Sequence, residues 1–235
     1  MAIYCVAVIP AYNEEGNIAR VVSDWSRELG RVFGESYRII VINDGSRDGT
    51  GAMLDNLGQE NPRLLVHHQV NQGHGITVMN GYKLAVAMDT DSVFQTDSDD
   101  QFDAADFSKL WSRRTESRFI LGFRAIRHDS PYRIILSKLA AFLVFLLFGI
   151  CVKDSNVPYR LMDRRFLQDV LPLVPAKAFA PNICLSIIAA YKKQPLLHIP
   201  VNHRKRTMGQ SIVSIALIKG CIRSFVDLLR LRCTI

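Results

Sequence analysis

The chain has 235 residues, 49% of them hydrophobic, with a formal net charge of +7 and a sequence pI ≈ 9.3. That hydrophobic content excludes a disordered chain, and the length is enough for one substantial core with an appended segment. The positive balance favours an anionic partner (a phosphate ligand, a membrane surface or nucleic acid), while five cysteines without metal-ligand spacing fit reduced thiols.

The first half alternates strand and helix patterns. The chain opens into "IYCVAVIPAYNEE" without a basic start or a cleavage site, so no signal peptide is expected. "IYCVAVI", Ile3 to Ile9, is a short apolar run rich in β-branched residues and reads as a strand. A helical pattern follows from about Glu15 to Leu29. "YRIIVIN", Tyr37 to Asn43, is the second strand, closed by the turn-forming "DGSRDGT". Next come a helix from about Gly51 to Gln59, the strand "RLLVHHQ" ending in "NQGHG", a helix from about Ile76 to Met88, and a fourth strand, "SVFQT". This alternation predicts an α/β fold with a mostly parallel sheet covered by helices on both faces.

The second half has a different texture. Helical material from Tyr132 to Ile150 leads into "KDSNVPYRLMDRR". The apolar run from Leu139 to Val152 is shorter than a bilayer crossing requires and fits a core helix or an interfacial segment. The strand "LLHIPV" precedes the basic "NHRKRTMGQS", and one helix is expected from Ile212 to Arg232. Wound as a helix, Lys219, Arg223 and Arg230 form a narrow cationic stripe. Ile215, Ile218, Ile222, Phe225, Leu228 and Leu229 spread over the broad remainder. Such a helix suits an anionic membrane interface, or packing on its own domain. The expected organisation is one domain over residues 1–211 and an amphipathic segment over 212–235.

The chemistry concentrates in "SVFQTDSDDQFDAADF", where Asp97, Asp99, Asp100 and Asp103 crowd together. Like charges repel, so a cation or open water must offset them. Residues two apart on a strand point to one face, which aims Asp97, Asp99 and Gln101 together past the fourth strand. Open α/β sheets bind ligands at these carboxyl ends. Oxygen donors there suit Mg²⁺ or Mn²⁺, which keep waters and accept phosphate oxygens as further ligands. An EF-hand loop fails, because its Gly and Glu positions hold Phe102 and Ser108. Asp103 fits as the cap of a helix beginning near Ala104, which explains one aspartate but not Asp97 or Asp99.

"PAYNEE", "NDGSRDGT" and "NQGHG" follow the first three strands and crowd the same edge. Asp44 is placed to accept hydrogen bonds from a base or ribose, and Gly45, Gly49, Gly73 and Gly75 permit tight turns. No G-x-G-x-x-G follows the first strand, which counts against a dinucleotide fold. The basic residues gather toward the C-terminal helix and no nucleic-acid motif is present, so nucleic acid is not the expected partner.

"VIPAYNEEGNI", "VINDGSRDGT", "NQGHGITVMNGY" and "QTDSDDQFD" occur in the order found in inverting family 2 glycosyltransferases, which the chain resembles over about its first 125 residues. "GFRAIRHDSPYRIILS", "KDSNVPYRL" and "RKRTMGQS" resemble the polyprenyl (dolichyl)-phosphate sugar transferase branch of that family. The resemblance implies a Rossmann-like GT-A fold, a nucleotide-diphospho sugar donor, and Mg²⁺ or Mn²⁺ as cofactor. Carried over by motif, Pro10, Tyr12, Glu14 and Asp44 would hold the nucleoside, with Asp97 also on the donor side. Asp97 and Asp99 would be the D-x-D pair, with Gln101 helping the metal, and the divalent ion held by Asp99 would neutralise charge on the departing diphosphate.

For the acceptor, the resemblance implies a lipid phosphate held by Arg124, Arg133 and Ser137, the last one helical turn beyond Arg133. Arg206, Gly209 and Ser211 match an R-x-x-G-x-S motif, followed by Ile212 where a lysine is common. The loop between Arg124 and Arg133 is shorter than the branch leads one to expect. Asp154 stands where the family carries an aspartate near the reaction centre, as a base or an acceptor-orienting carboxylate; its structural alternative is a helix-end aspartate paired with Arg160. A glycan hydroxyl is the alternative acceptor and would need a general base. A non-catalytic nucleotide-sugar-binding subunit is the alternative class, against which the intact Asp97 and Asp99 argue. The expected location is the cytoplasmic face of a membrane, held peripherally, or otherwise the cytoplasm.

Overall fold

The computed structural model describes residues 3–125, 131–204 and 215–235, with the backbone alone described for 131–136, 215–219 and 221. The β-branched runs form β1 (Ile3–Ala11), β2 (Tyr37–Asp44), β3 (Leu64–Gln69) and β4 (Thr90–Thr96). They are linked through α1 (Ile18–Phe33), α2 (Thr50–Glu60) and α3 (His74–Ala87). A 3₁₀ turn at Ala104–Asp106, whose Ala105 N–H is capped by Asp103, then leads into α4 (Phe107–Trp111). The chain continues through β5 (Phe119–Arg124), α5 (Pro131–Phe148), β6 (Tyr159–Asp163), α6 (Arg164–Val170), α7 (Pro181–Tyr191), β7 (Leu196–Val201) and α8 (Ile215–Thr234).

One seven-stranded sheet results, in the order β3-β2-β1-β4-β6-β5-β7. β6 runs antiparallel to both β4 and β5, and every other pairing is parallel. The antiparallel insertion has a consequence for the site. It returns β5 and β7 to the direction of β1–β4, so the carboxyl ends of six strands and the amino end of β6 share one edge.

The expected mostly parallel sheet is present. β5, β6, α6 and α7 do not show in the sequence pattern, for physical reasons. β5 and β6 are short runs that each include an arginine. In α7 every residue from Pro181 to Ala189 is buried, so there is no polar face to give a helical period.

The sheet is packed from both sides. On one face Trp25, Phe94, Phe107 and Tyr159 cluster, with Phe94 ring centroids 4.9 Å from Trp25, 5.0 Å from Phe107 and 4.9 Å from Tyr159. On the other, α3 presses onto β1 through Gly81, where a Cβ would lie 2.3 Å from Val8 Cγ1. The C-terminal helix is docked on the domain: Leu228 and Leu231 are buried, Phe179 N donates to the buried Asp227 (2.8 Å), and Arg232 Nε donates to Leu147 O (3.1 Å). The same helix leaves Ile222, Phe225, Val226 and Leu229 exposed in an i, i+3, i+4, i+7 stripe. One face of this helix therefore packs on its own domain, and the other is exposed.

Gly81→Ala tests the α3–β1 contact. Val8 is fully buried and stiff at χ1, so the added methyl forces a shift costing about 1–3 kcal/mol. Chemical denaturation should show that loss with an unchanged m-value.

Candidate active site

The loops after β1 and β2 are stitched together by reciprocal hydrogen bonds. Asn13 N donates to Ser46 Oγ (3.0 Å), and Arg47 N returns to Asn13 Oδ1 (2.8 Å). Glu15 N donates to Asp48 Oδ2 (3.2 Å), and Gly49 N to Glu15 Oε2 (2.9 Å). Backbone N–H groups at a sheet edge and at a helix start lack regular partners, and these polar side chains supply them. Asn13 sits at φ 54, a conformation asparagine tolerates. Glu14 is buried; its N–H donates to Thr50 Oγ1 (2.8 Å) and its Oε2 accepts from Asn17 Nδ2 (2.7 Å). Tyr12 stands 42% exposed at the rim, while Pro10 is buried within β1 opposite Ile42.

Asp44 ends β2 only 2% exposed. Its carboxylate accepts from Gln69 Nε2 (2.7 Å), Gln72 N (2.8 Å) and Gly73 N (2.9 Å), while Asn71 Nδ2 donates to its carbonyl (2.9 Å). The chain passes so closely that a Cβ on Gly45, at φ +66, would meet Asn71 N at 2.8 Å. Asp44 therefore builds the β3–α3 loop, in addition to any contact its position offers a ligand.

The acidic stretch is arranged by a turn and not by strand alternation. β4 ends at Thr96, and Asp100 at φ 57 bends the chain away. Asp97 is held from behind by Gln95 Nε2 (3.1 Å to Oδ1), and His74 Nε2 lies 3.9 Å from the same oxygen. Asp99 Oδ1 accepts from Gln101 N (3.2 Å). Gln101 pairs with the segment after β7: its Nε2 donates to Arg204 O (3.2 Å), and Arg204 N donates to its carbonyl (2.7 Å). Asp100 pairs with Arg20. Burial pushes the Asp97 carboxyl above the usual aspartate range; His74 pulls it down, Glu14 pushes it up, and Arg124 and Arg160 pull it down.

A divalent cation fits this donor set. Asp97 and Asp99 are hard oxygen donors, and a nearby cation would stabilise the charge that burial disfavours on Asp97. Among the described residues no cluster of three or more histidine, cysteine or acidic side chains is gathered for a metal. An ion here would thus take phosphate oxygens and water for its remaining positions, as Mg²⁺ and Mn²⁺ do.

Asp154 and Arg124, assigned from the sequence to separate roles, form one unit. Arg124 Nε donates to Asp154 Oδ2 (2.8 Å), Nη2 to Oδ1 (2.7 Å) and the backbone N to Oδ2 (3.3 Å). Their side chains are 12% and 9% exposed. Asp154 sits in a turn before β6 at φ 49, so the alternative of a helix-end aspartate paired with Arg160 does not hold. Arg160 is fully buried and donates instead to carbonyls: Val157 O (3.1 and 2.8 Å), Asn182 O (3.0 Å) and Ser155 O (3.1 Å). Ser137 is half-buried on α5. The side chain of Arg133, and Arg206, Gly209 and Ser211, lie outside the described residues.

His74 and Gln95 were not singled out from the sequence. A signal existed for Gln95: a polar residue inside an apolar strand, two positions before Asp97 and so on its face. Tyr82 and Asn182, which reach Gln95 across the fold, left no local signal.

The sequence profile described as Glycosyl transferase family 2 matches residues 6–178. The chain is 26% identical over 219 residues to polyprenol monophosphomannose synthase of Mycolicibacterium smegmatis, an alignment spanning 89% of this chain and 80% of that protein. Among solved structures it is similar to glucosyl-3-phosphoglycerate synthase from Mycobacterium tuberculosis in complex with phosphoglyceric acid. There the TM-score is 0.73 at 19% identity, covering 99% of this chain and 81% of that one. The same enzyme in complex with Mn²⁺, UDP-glucose and phosphoglyceric acid gives a TM-score of 0.70 at 19% identity, covering 99% and 80%. These structural likenesses show the fold and agree with the GT-A expectation.

Asp44→Asn places an amide hydrogen pair where N–H donors converge, which is expected to cost about 1–3 kcal/mol. Hydrogen-exchange mass spectrometry should show faster exchange at Gln72 and Gly73 than in the wild type, with β1 and β4 unchanged.

Proposed function

The chain belongs to glycosyl transferase family 2, and from that premise we propose that it moves a sugar, with inversion, from a nucleotide-diphospho sugar to the phosphate of a polyprenyl-type lipid carrier, with Mg²⁺ or Mn²⁺ as cofactor. One observation carries the reading. The fold brings Glu14, Asp44, Asp97, Asp99 and the Arg124–Asp154 pair to a single sheet edge. The relative that is 26% identical is named for a polyprenol monophosphate sugar product, which supports the lipid-phosphate acceptor.

The exposed Tyr12 ring offers a stacking surface for the donor base, with buried Glu14 in the same loop. Asp44 holds the β3–α3 loop at the same edge. Asp97 and Asp99, aided by Gln101, would hold the divalent ion, which when bound neutralises charge developing on the departing diphosphate. Arg124 brings a guanidinium for the acceptor phosphate to the same edge and holds Asp154 beside it in a forked pair. A phosphate monoester has a second pKa of about 6 and arrives mostly ionised, so it needs no base to remove a proton. Asp154, bound on both oxygens by Arg124, orients in this scheme and does not deprotonate.

The surface supports a lipid partner. α5 exposes Leu139, Phe142, Phe145 and Leu146, and α8, packed against α5, exposes its own apolar stripe with Arg223 and Arg230 also exposed. No described helix is long and apolar enough to cross a membrane. Apolar stripes beside arginines suit an interfacial position on an anionic leaflet, such as the cytoplasmic one.

The test is a donor screen with polyprenyl phosphate in anionic liposomes as sole acceptor. Metal-dependent release of nucleoside diphosphate is expected, with the sugar in the lipid phase and the protein floating with the vesicles. Asp99→Ala should slow turnover about 10²-fold or more. Product formed only on a glycan hydroxyl, or turnover indifferent to a chelator, would overturn the proposal.

A further inference from the structure

Behind Asp97 lies a set of polar side chains that the fold alone does not require. Tyr82, Gln95 and Arg160 are completely buried, and Asn182 is 3% exposed. Buried polar groups are costly unless each is paired, and an apolar core would fill the same space. Here they are paired in one direction. Tyr82 Oη lies 3.0 Å from Asn182 Oδ1 and 3.4 Å from Gln95 Oε1. Asn182 Nδ2 donates to Gln95 Oε1 (3.0 Å), and Gln95 Nε2 donates to Asp97 Oδ1 (3.1 Å).

The direction is forced by the two ends. Burial drives the Tyr82 hydroxyl pKa up, so it keeps its proton and begins the chain as a donor. At the other end Asp97 Oδ1 meets the Gln95 amide nitrogen, which can only donate, so the carboxylate ends the chain as an acceptor. Between them, each amide has one orientation that satisfies both neighbours. Flipping Gln95 would set its oxygen against the Asp97 carboxylate.

Arg160 completes the support. Its Nη1 donates to Asn182 O at the start of α7, while its Nε and Nη2 hold Val157 O and Ser155 O in the turn that carries Asp154. One buried guanidinium thus fixes the backbone behind both carboxylates.

We propose that Tyr82, Asn182 and Gln95 are positioning residues, a one-way hydrogen-bond relay that fixes the Asp97 carboxylate for cation binding, anchored by Arg160. The proposal rests on the cation role assigned to Asp97 above. Outer hydrogen-bond partners of metal ligands change metal affinity by about 10–100-fold when removed, and the relay supplies such a partner.

The test is Mn²⁺ alone, titrated by electron paramagnetic resonance into the wild type and into Tyr82→Phe, Gln95→Met and Asp97→Asn, with thermal melting of each. Tyr82→Phe removes one oxygen and keeps the packing, so it decides the matter if Gln95→Met does not fold. The expected result is that Asp97→Asn abolishes binding, while Tyr82→Phe and Gln95→Met weaken it about tenfold with little change in melting. In turnover the apparent KM for Mn²⁺ should rise by a similar factor, while the KM for the donor stays level. If Asp97→Asn abolishes binding but the relay variants bind within about twofold of wild type, the relay is overturned and the cation reading stands. If Asp97→Asn binds Mn²⁺ like the wild type, both fall.

Discussion

Carboxylates gathered in a partly buried cleft repel one another, and the site can exist only if each is compensated where it stands. The protein meets this constraint with a different device for each. Glu14 receives the Asn17 amide, Asp44 receives two backbone N–H groups and the Gln69 amide, Asp97 receives Gln95 with His74 nearby, and Asp154 receives the forked guanidinium of Arg124. For Asp97, burial weighs against the charge. A cation from outside the chain would offset that cost, which is the role the proposed chemistry gives it.

The compensation depends on close approach of elements far apart in sequence. Gly81 lets α3 lie against β1, and at the start of α3 a Cβ on Gly75 would meet Ala178 O at 2.3 Å. The Ala178–Phe179 segment is in turn tied to α8, through the Phe179 N–H on Asp227 and through Gly220, where a Cβ would lie 2.5 Å from the Phe179 ring. The helix that carries the exposed apolar stripe is thus linked through one short segment to the start of α3, which carries His74. The exposed apolar surface and the site are parts of one packed structure.

The sequence shows much of this and conceals the rest for definite reasons. β1–β4 were legible because their runs are continuous and β-branched, and the loops after them were legible because turn residues are local signals. The acidic cluster was legible as a site, but its geometry was not: alternation stops with the strand at Thr96. Asp154 had a nearby arginine in sequence, Arg160, yet the fold pairs it with Arg124, 30 residues away. Gln95 meets Asn182 across 87 residues, on a helix buried all round that carries no period to read. The C-terminal helix was legible as amphipathic, and only the structure separates its buried face from its exposed one.

The central claim is that Asp97 and Asp99 together hold a divalent ion against a departing diphosphate. Its most direct test is a crystal grown with Mn²⁺ and the nucleoside diphosphate that the enzyme releases, with data collected to locate manganese by its anomalous scattering. The account predicts an anomalous peak bound by carboxylate oxygens of Asp97 and Asp99 and by the diphosphate. A diphosphate bound at this edge with manganese elsewhere, and both side chains turned away from it, would contradict the account.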